Sequence, residues 1–372
     1  MRINPDDAMG GTVSQLFGSV RYVPLETTAD CLFGGVTHLQ VSTNFYAFYD
    51  MDTKHIYVFG RDGKFRYKIG QLYINMDLNF FSSFWLDPKN EHIRIPHSRQ
   101  FSDQNNFTYQ TAEYDTTGRL IYDQDLSNRF SQSYLVLGNG DYILPSESDI
   151  KDSIRFVHIA KNGMEQNVDF YYSHTPNPYV WQCVSGGNAD GVLWSRRIDY
   201  TLQKMDRKGT SSQFRLVFPQ SLMLDIDFYK DTVMLKDRQR IDRYFSSHSE
   251  KITSLGVPSQ SGDYMLFSCI KGNDYIGSEY LYSLTSEKLY SLEQISPDSA
   301  NSFLPIVSYP NQVSAFDNST IFTVVPSFLM FTAMEANKQR NPTYPKILQT
   351  YFLQNNRKSN PVIVELKLKS SL

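Results

Sequence analysis

Cysteine is scarce in this 372-residue chain. Cys31, Cys183 and Cys269 lie far apart with no CxxC spacing, which argues against a disulfide framework or a zinc knuckle and leaves free thiols as the expectation. Charge is also scarce, with 20% charged residues, a net charge of -3 and a pI near 6.2. Nothing there attracts a phosphate backbone, so nucleic acid is not an expected partner. Long apolar runs are missing as well. The longest, residues 321 to 334, is interrupted by Pro326 and falls short of the roughly 20 residues that a membrane helix needs. The opening MRINPDDAMGG carries no charged-then-apolar leader, which fits a cytoplasmic protein or a mature chain freed of its signal.

Linear catalytic signatures are missing too. Histidine occurs seven times, but never as H-x-H, the spacing that would put two ligands on one face of a strand. His92 and His97, with Glu91 beside the first, are five apart and read as structural. The segment VSGGNADGV (184 to 192) has the glycines of a nucleophile elbow without its serine, and no G-x-x-x-x-G-K-[ST] phosphate loop occurs. Asp50, Asp52 and Asp62, or Asp225 and Asp227, lack the ligand-and-glycine pattern of a calcium loop and are better explained as turn-forming aspartates. No metal and no cofactor is expected.

What the chain does have is aromatic residues, with 25 Tyr and 25 Phe, arranged in a repeat. IYVFGRDGKFRYKI (56 to 69) reads as two alternating strands around an Asp-Gly turn, a tight hairpin. Related hairpins follow at 109 to 124, 155 to 170, 201 to 216 and 280 to 293. Their turn glycines, Gly63, Gly118, Gly163 and Gly209, are spaced 55, 45 and 46 residues apart, the range of propeller blades; the fifth copy has Ser286-Glu287 instead. A second pair of short apolar strands precedes each hairpin, so each unit holds four. The first pair is nearly continuous apolar, as for strands covered on both faces, and the second alternates.

The expected fold is all-β, a single six-bladed β-propeller domain over 1 to 372. Its blades lie at about 33–70, 78–124, 130–170, 178–218 and 250–293. The sixth is assembled from 302–326 (FLPIVSY, VSAFD, TIFTVV), 361–369 and the N-terminal 19–26, so that N- and C-terminal strands pair and close the ring. Segments 219–250 and 327–360 break the pattern with helix-compatible spacing and read as two short helical insertions. In the alternative, LMLDIDFY and TVMLKD begin a seventh blade.

IYVFGRDGKFRYKIG resembles an NHL-type repeat, although the Gly-rich connection that follows such repeats is replaced by QLYINMDLNF. Together with RYVPLETTADCLFGG, YLYSLTSEKLYSL and NPVIVELKLK, it resembles six-bladed β-propeller families of exported lipoproteins from anaerobic Gram-negative bacteria, over about residues 10 to 369. The resemblance implies six blades, an export signal ending at a lipidated cysteine, and a periplasmic or outer-surface location. No such leader or cysteine stands in this sequence, and the resemblance brings no catalytic residues.

Candidate ligand contacts are Trp85, Trp181 and Trp194 on or near inner strands, with Arg196 and Arg197 following. Aromatics beside arginine suit a sugar or a carboxylate, whereas inter-blade packing is the structural reading of the tryptophans. The expected function is a non-enzymatic binding or scaffold protein of the cell envelope, a monomer recognising glycan, peptide or an envelope protein. One alternative is a polysaccharide lyase or glycosidase, because carboxylates converging from different blades leave no linear motif. Another is a structural subunit of an envelope assembly, with Phe328 to Phe331 at its interface.

Overall fold

The computed structural model describes residues 1–70, 84–87, 90–100, 107–125, 135–136, 142–147, 153–159, 165–167, 172–173, 184–188, 191–195, 198–206, 211–274, 276–308, 313–370 and 372. Their strands form six antiparallel sheets, and the chain divides into two compact units with three sheets each.

One unit comprises residues 12–134 and 297–369. Its first sheet runs Phe17–Pro24, Val362–Leu368, Thr320–Val325 and Ala315–Asp317. The beginning and end of the chain therefore pair directly, Arg21 opposite Glu365 and Tyr22 opposite Val364. The second sheet is an up-and-down meander of Thr37–Val41, Phe45–Asp50, His55–Gly60 and Phe65–Ile69. The third repeats that order with Trp85–Leu86, Ile93–Gln100, Phe107–Tyr114 and Leu120–Asp125.

Strand periodicity explains how these sheets stack. Successive side chains point to opposite faces, so FYAFYD and HIYVFG each split into two apolar sets. Tyr46, Phe48, Tyr57 and Phe59 pack with Val23, Phe322 and Ile363 of the first sheet. Ala47, Tyr49, Ile56 and Val58 pack with Leu86, Ile93, Ile95 and Ala112 of the third. The middle two strands are thus the most buried, while Thr37–Val41 and Phe65–Ile69 are partly exposed. This differs from the expectation that the first pair is the buried one. A middle strand is flanked on both edges as well as covered on both faces.

The other unit comprises residues 1–11, 135–296 and 370–372. It holds a sheet built on Leu135–Val136, Tyr142–Glu147, Ser153–Ile159 and Glu165–Asn167, with Tyr172–Ser173 on Ser153–Ile159, and a second of Val184–Asn188, Gly191–Ser195, Thr201–Asp206 and Ser211–Arg215. The third is Ile252–Ser261, Tyr264–Lys271, Ser278–Ser283 and Leu289–Ser296, extended at its edge by Met9–Thr12, a strand the repeat pattern does not anticipate. Leu193, Tyr200, Leu202 and Leu216 pack against Leu255, Met265 and Phe267 between the last two sheets.

Beyond the single turn α1 (Val13–Leu16), the helices are α2 (Ile226–Lys230), α3 (Arg238–Ser247), α4 (Ser327–Ala336) and α5 (Lys346–Gln354). LMLDIDFY therefore forms no strand of a seventh blade. Asp237 caps α3 by accepting from the Gln239 and Arg240 N–H groups at 2.9 and 3.3 Å, and Ile241 and Phe245 seat the helix on Phe228, Leu235 and Ile198. FLPIVSY also forms no strand among its described residues. Leu304 and Ile306 are buried, but Ser302 and Phe303 take positive φ in a turn, and the Ile306 carbonyl accepts from the Thr323 hydroxyl instead of a sheet partner.

Candidate functional site

In an up-and-down sheet, alternate turns fall at the same end. Residues 42–44 and 61–64 are the two turns at one end of the second sheet, and 115–119 is the corresponding hairpin turn of the third. Asn44, Phe45, Arg61, Asp62, Arg66 and Thr116 line an open cleft of about 460 Å³ there. The turns are held stiffly. Gly63 has φ +79° and Gly118 φ +80°, conformations that a β-carbon penalises, and both are turn glycines of the repeat. Asp115 Oδ1 accepts from the Thr117 N–H, the Thr117 hydroxyl and the Arg119 N–H at 2.9, 2.6 and 3.0 Å, which holds its carboxyl below the usual carboxylate range.

Arg61, one of the lining residues, also belongs to a charged network between the first two sheets. Glu365, with a side chain 12% exposed, receives the Tyr46 hydroxyl, the Arg61 guanidinium and Arg21 at 3.3 Å. Arg61 also donates to the Ser42 carbonyl at 2.8 Å and lies 4.7 Å over the Tyr46 ring. Burial, and then the Glu365 carboxylate, push the Tyr46 hydroxyl well above its ordinary pKa. Burial works against the Arg61 cation, but Tyr46 and Glu365 outweigh it and raise its pKa. On the rim, Arg66 pairs with Asp62 at 3.2 Å, and Glu91 accepts from the Asn44 N–H and side-chain amide, each at 2.9 Å. The arrangement offers guanidinium N–H donors, an amide, a hydroxyl and an aromatic edge, with each charge already oriented by a protein partner.

Trp85 lies elsewhere, in the third sheet. It is 7% exposed, with Arg94 4.8 Å over its ring. Arg94 is itself buried between Asp87 at 3.4 Å and Glu113 at 3.0 Å, and Glu113 meets His92 Nδ1 at 2.7 Å. Trp194 sits in strand Gly191–Ser195 opposite Ser185 and Gln203, with its ring outside the described residues. Trp181, Arg196 and Arg197 also lie outside them. Of the cleft residues, the sequence singles out only Asp62, as a turn aspartate. The available signal was the pair of glycine turns at 63 and 118, which the up-and-down topology places at corresponding ends of neighbouring sheets.

Asp62 is occupied by the Lys64 N–H and Arg66, and two more of the aspartates considered for calcium also have partners. Asp50 accepts from the Gly34, Gly35 and Thr53 N–H groups, and Asp225 from Tyr244 and Lys251. Among the described residues, no group of three or more His, Cys, Asp or Glu side chains is placed to hold a metal ion. Likewise, no helix is long and apolar enough to cross a membrane.

Comparison with solved structures finds a Bacteroides fragilis protein, described as exported, that is 15% identical with a TM-score of 0.63, the match covering 100% of each chain. A Bacteroides vulgatus protein is 10% identical with a TM-score of 0.46, covering 95% of this chain and 97% of its own. Virginiamycin B lyase from Staphylococcus aureus is 9% identical with a TM-score of 0.40, covering 94% and 99%. At such identities likeness shows fold alone. None of the curated proteins compared with the chain matches it in sequence. A family model described as a 6-bladed beta-propeller matches residues 3–301, and with six antiparallel sheets of mostly four strands the chain belongs to that family.

Proposed function

We propose that this propeller is a non-enzymatic binding protein of the cell envelope that takes a polar glycan in the cleft between Asn44, Arg61, Arg66 and Thr116. The observation that carries this reading is the cleft's chemistry: an open space of about 460 Å³ whose polar lining is held in place by ion pairs and turn hydrogen bonds. Pre-oriented donors recognise hydroxyl-rich ligands with little ordering cost.

The likeness to an exported protein supports a place outside the cytoplasm, in the periplasm or on the outer surface, with or without a lipid anchor. The pairing of Phe17–Pro24 with Val362–Leu368 supports a last blade shared by both ends of the chain. A glycan array followed by calorimetry tests the binding reading. Arg66→Ala is expected to weaken any glycan found by about tenfold, the loss of one charge-assisted contact. An unchanged affinity in that variant refutes the cleft as the site, and turnover of a polysaccharide refutes the non-enzymatic reading.

A further inference from the structure

The helical segment 327–360 differs in charge from the rest of the chain. It holds Lys338, Arg340, Lys346, Arg357 and Lys358 against the single acid Glu335, a net charge of +4 in a chain whose total is -3, so everything outside it carries -7. All five basic residues are exposed. Large apolar side chains stand among them: Phe328 is 51% exposed, Ile347 42% and Leu353 85%. Helix α4, SFLMFTAMEA, is apolar nearly all round, a pattern that a helix lying on a protein surface has no internal reason to carry.

The hairpin beneath this surface is firmly built. Phe331 packs on Tyr351 and Phe352 with ring centroids 5.5 and 5.3 Å apart, and Met330 and Leu348 are fully buried. The Tyr351 hydroxyl donates to Ser327 Oγ at 2.6 Å, and Ser327 in turn donates to the Asn360 carbonyl. The exposed apolar side chains are therefore additional to what the hairpin needs for its own packing.

We propose that α4, α5 and their flanking turns dock on an anionic lipid bilayer, with Phe328, Ile347 and Leu353 entering the headgroup region and the lysines lying over lipid phosphates. The kinds of cation decide between a lipid surface and an acidic protein. Both arginines, the residues suited to a geometrically defined carboxylate partner, are engaged: Arg357 with Glu335 at 2.7 Å, and Arg340 over the Phe303 ring at 4.7 Å. Lys338, Lys346 and Lys358 have no carboxylate partner among the described residues. Flexible point charges in the same short segment as exposed apolar side chains match a surface of diffuse negative charge, which demands no shape complementarity. The inference uses no residue of the cleft and does not rest on the glycan reading.

Sedimentation of the full chain with vesicles tests it. Binding is expected to vesicles of phosphatidylcholine with about 30% phosphatidylglycerol and not to phosphatidylcholine alone, and to be released by salt near 0.5 M. Each basic residue near such a surface raises partitioning about fivefold, so the triple variant K338E/K346E/K358E should lose about a hundredfold or more. Leu353→Gln, an uncharged helix-compatible change at a position 85% exposed, should lose about tenfold with little change in melting temperature. Arg66→Ala should bind vesicles like the parent chain. The proposal is overturned by no binding to the anionic vesicles, by equal binding to phosphatidylcholine alone, or by unaltered binding of the triple variant. Binding of this face to an acidic protein with none to vesicles also overturns it.

Discussion

Removing the Glu365 carboxylate should show how much the charged network around Arg61 contributes to the fold. Glu365 stands mid-strand in Val362–Leu368, opposite Arg21 on one side and Phe322 on the other. In Glu365→Ala the Tyr46 hydroxyl, fully buried, loses its acceptor, at about 1–3 kcal/mol for an unsatisfied buried donor. Arg61 loses its counter-ion while its side chain is only 27% exposed. Stranding a fully buried charge costs about 3–5 kcal/mol, and access to water together with the retained bond to Ser42 reduces this to about 1–2 kcal/mol. Arg21, 49% exposed, adds little. The sum is about 3 kcal/mol, or about 4 °C in melting temperature if the chain melts as one unit, from the usual entropy of unfolding per residue. Glu365→Gln keeps an acceptor and should cost about half as much. Tyr46→Phe leaves both ion pairs intact and should cost about 1 kcal/mol. Urea and thermal unfolding of the three variants and the Tyr46→Phe/Glu365→Ala double variant measure the order and the coupling. A Glu365→Ala cost below that of Tyr46→Phe would refute the claim that Glu365 organises this network.

The hairpin turns give opposite predictions at two corresponding positions. At Gly63, φ is +79° and an added Cβ would lie 2.2 Å from the Pro24 carbonyl oxygen, so Gly63→Ala should destabilise by about 2 kcal/mol or more, measured by chemical denaturation. In the fifth hairpin Glu287 takes φ +56°, and Glu287→Gly should stabilise by about 1 kcal/mol in the same assay. Alkaline pH should unfold the chain through its tyrosines. Burial raises the pKa of Tyr200, Tyr280 and Tyr351 to about 12 from an ordinary 10. The folded state holds these protons longer than the unfolded chain, so the stability they provide is complete below pH 10 and falls progressively between 10 and 12. Phenolate absorbance should lag in that window and then rise together with loss of structure, whereas a simple titration centred near pH 10 would contradict the burial.

The repeating unit was legible in sequence because a strand's period of two and a turn's need for glycine are local rules. FYAFYD and HIYVFG each divide by alternation into two apolar faces, and Gly63 and Gly118 mark turns between alternating strands. The helices of 219–250 and 327–360 were legible for the same reason, from spacing within one segment. FLPIVSY was not. Its apolar residues are buried as a strand's would be, but backbone turns at Ser302 and Phe303 and the Thr323 hydroxyl satisfy its polar groups differently, and composition does not distinguish the two. Met9–Thr12 was missed because its partner, Leu289–Ser296, is nearly three hundred residues away in sequence.

The candidate site was the least legible part. Trp85 is a candidate from its place near an inner strand, yet its ring is covered by a buried Arg94 that Asp87 and Glu113 neutralise. The cleft residues are ordinary turn residues until neighbouring sheets bring Asn44, Arg61, Arg66 and Thr116 together. Sequence alone determined the strand-turn-strand unit, its spacing and the places where helices interrupt it, since each depends on steric preferences within a few residues. Only the tertiary structure decided that Glu365 meets Tyr46 and Arg61 across some three hundred residues, and which turns share a cleft. Those contacts depend on sheet stacking, whose side-chain partners no local pattern specifies.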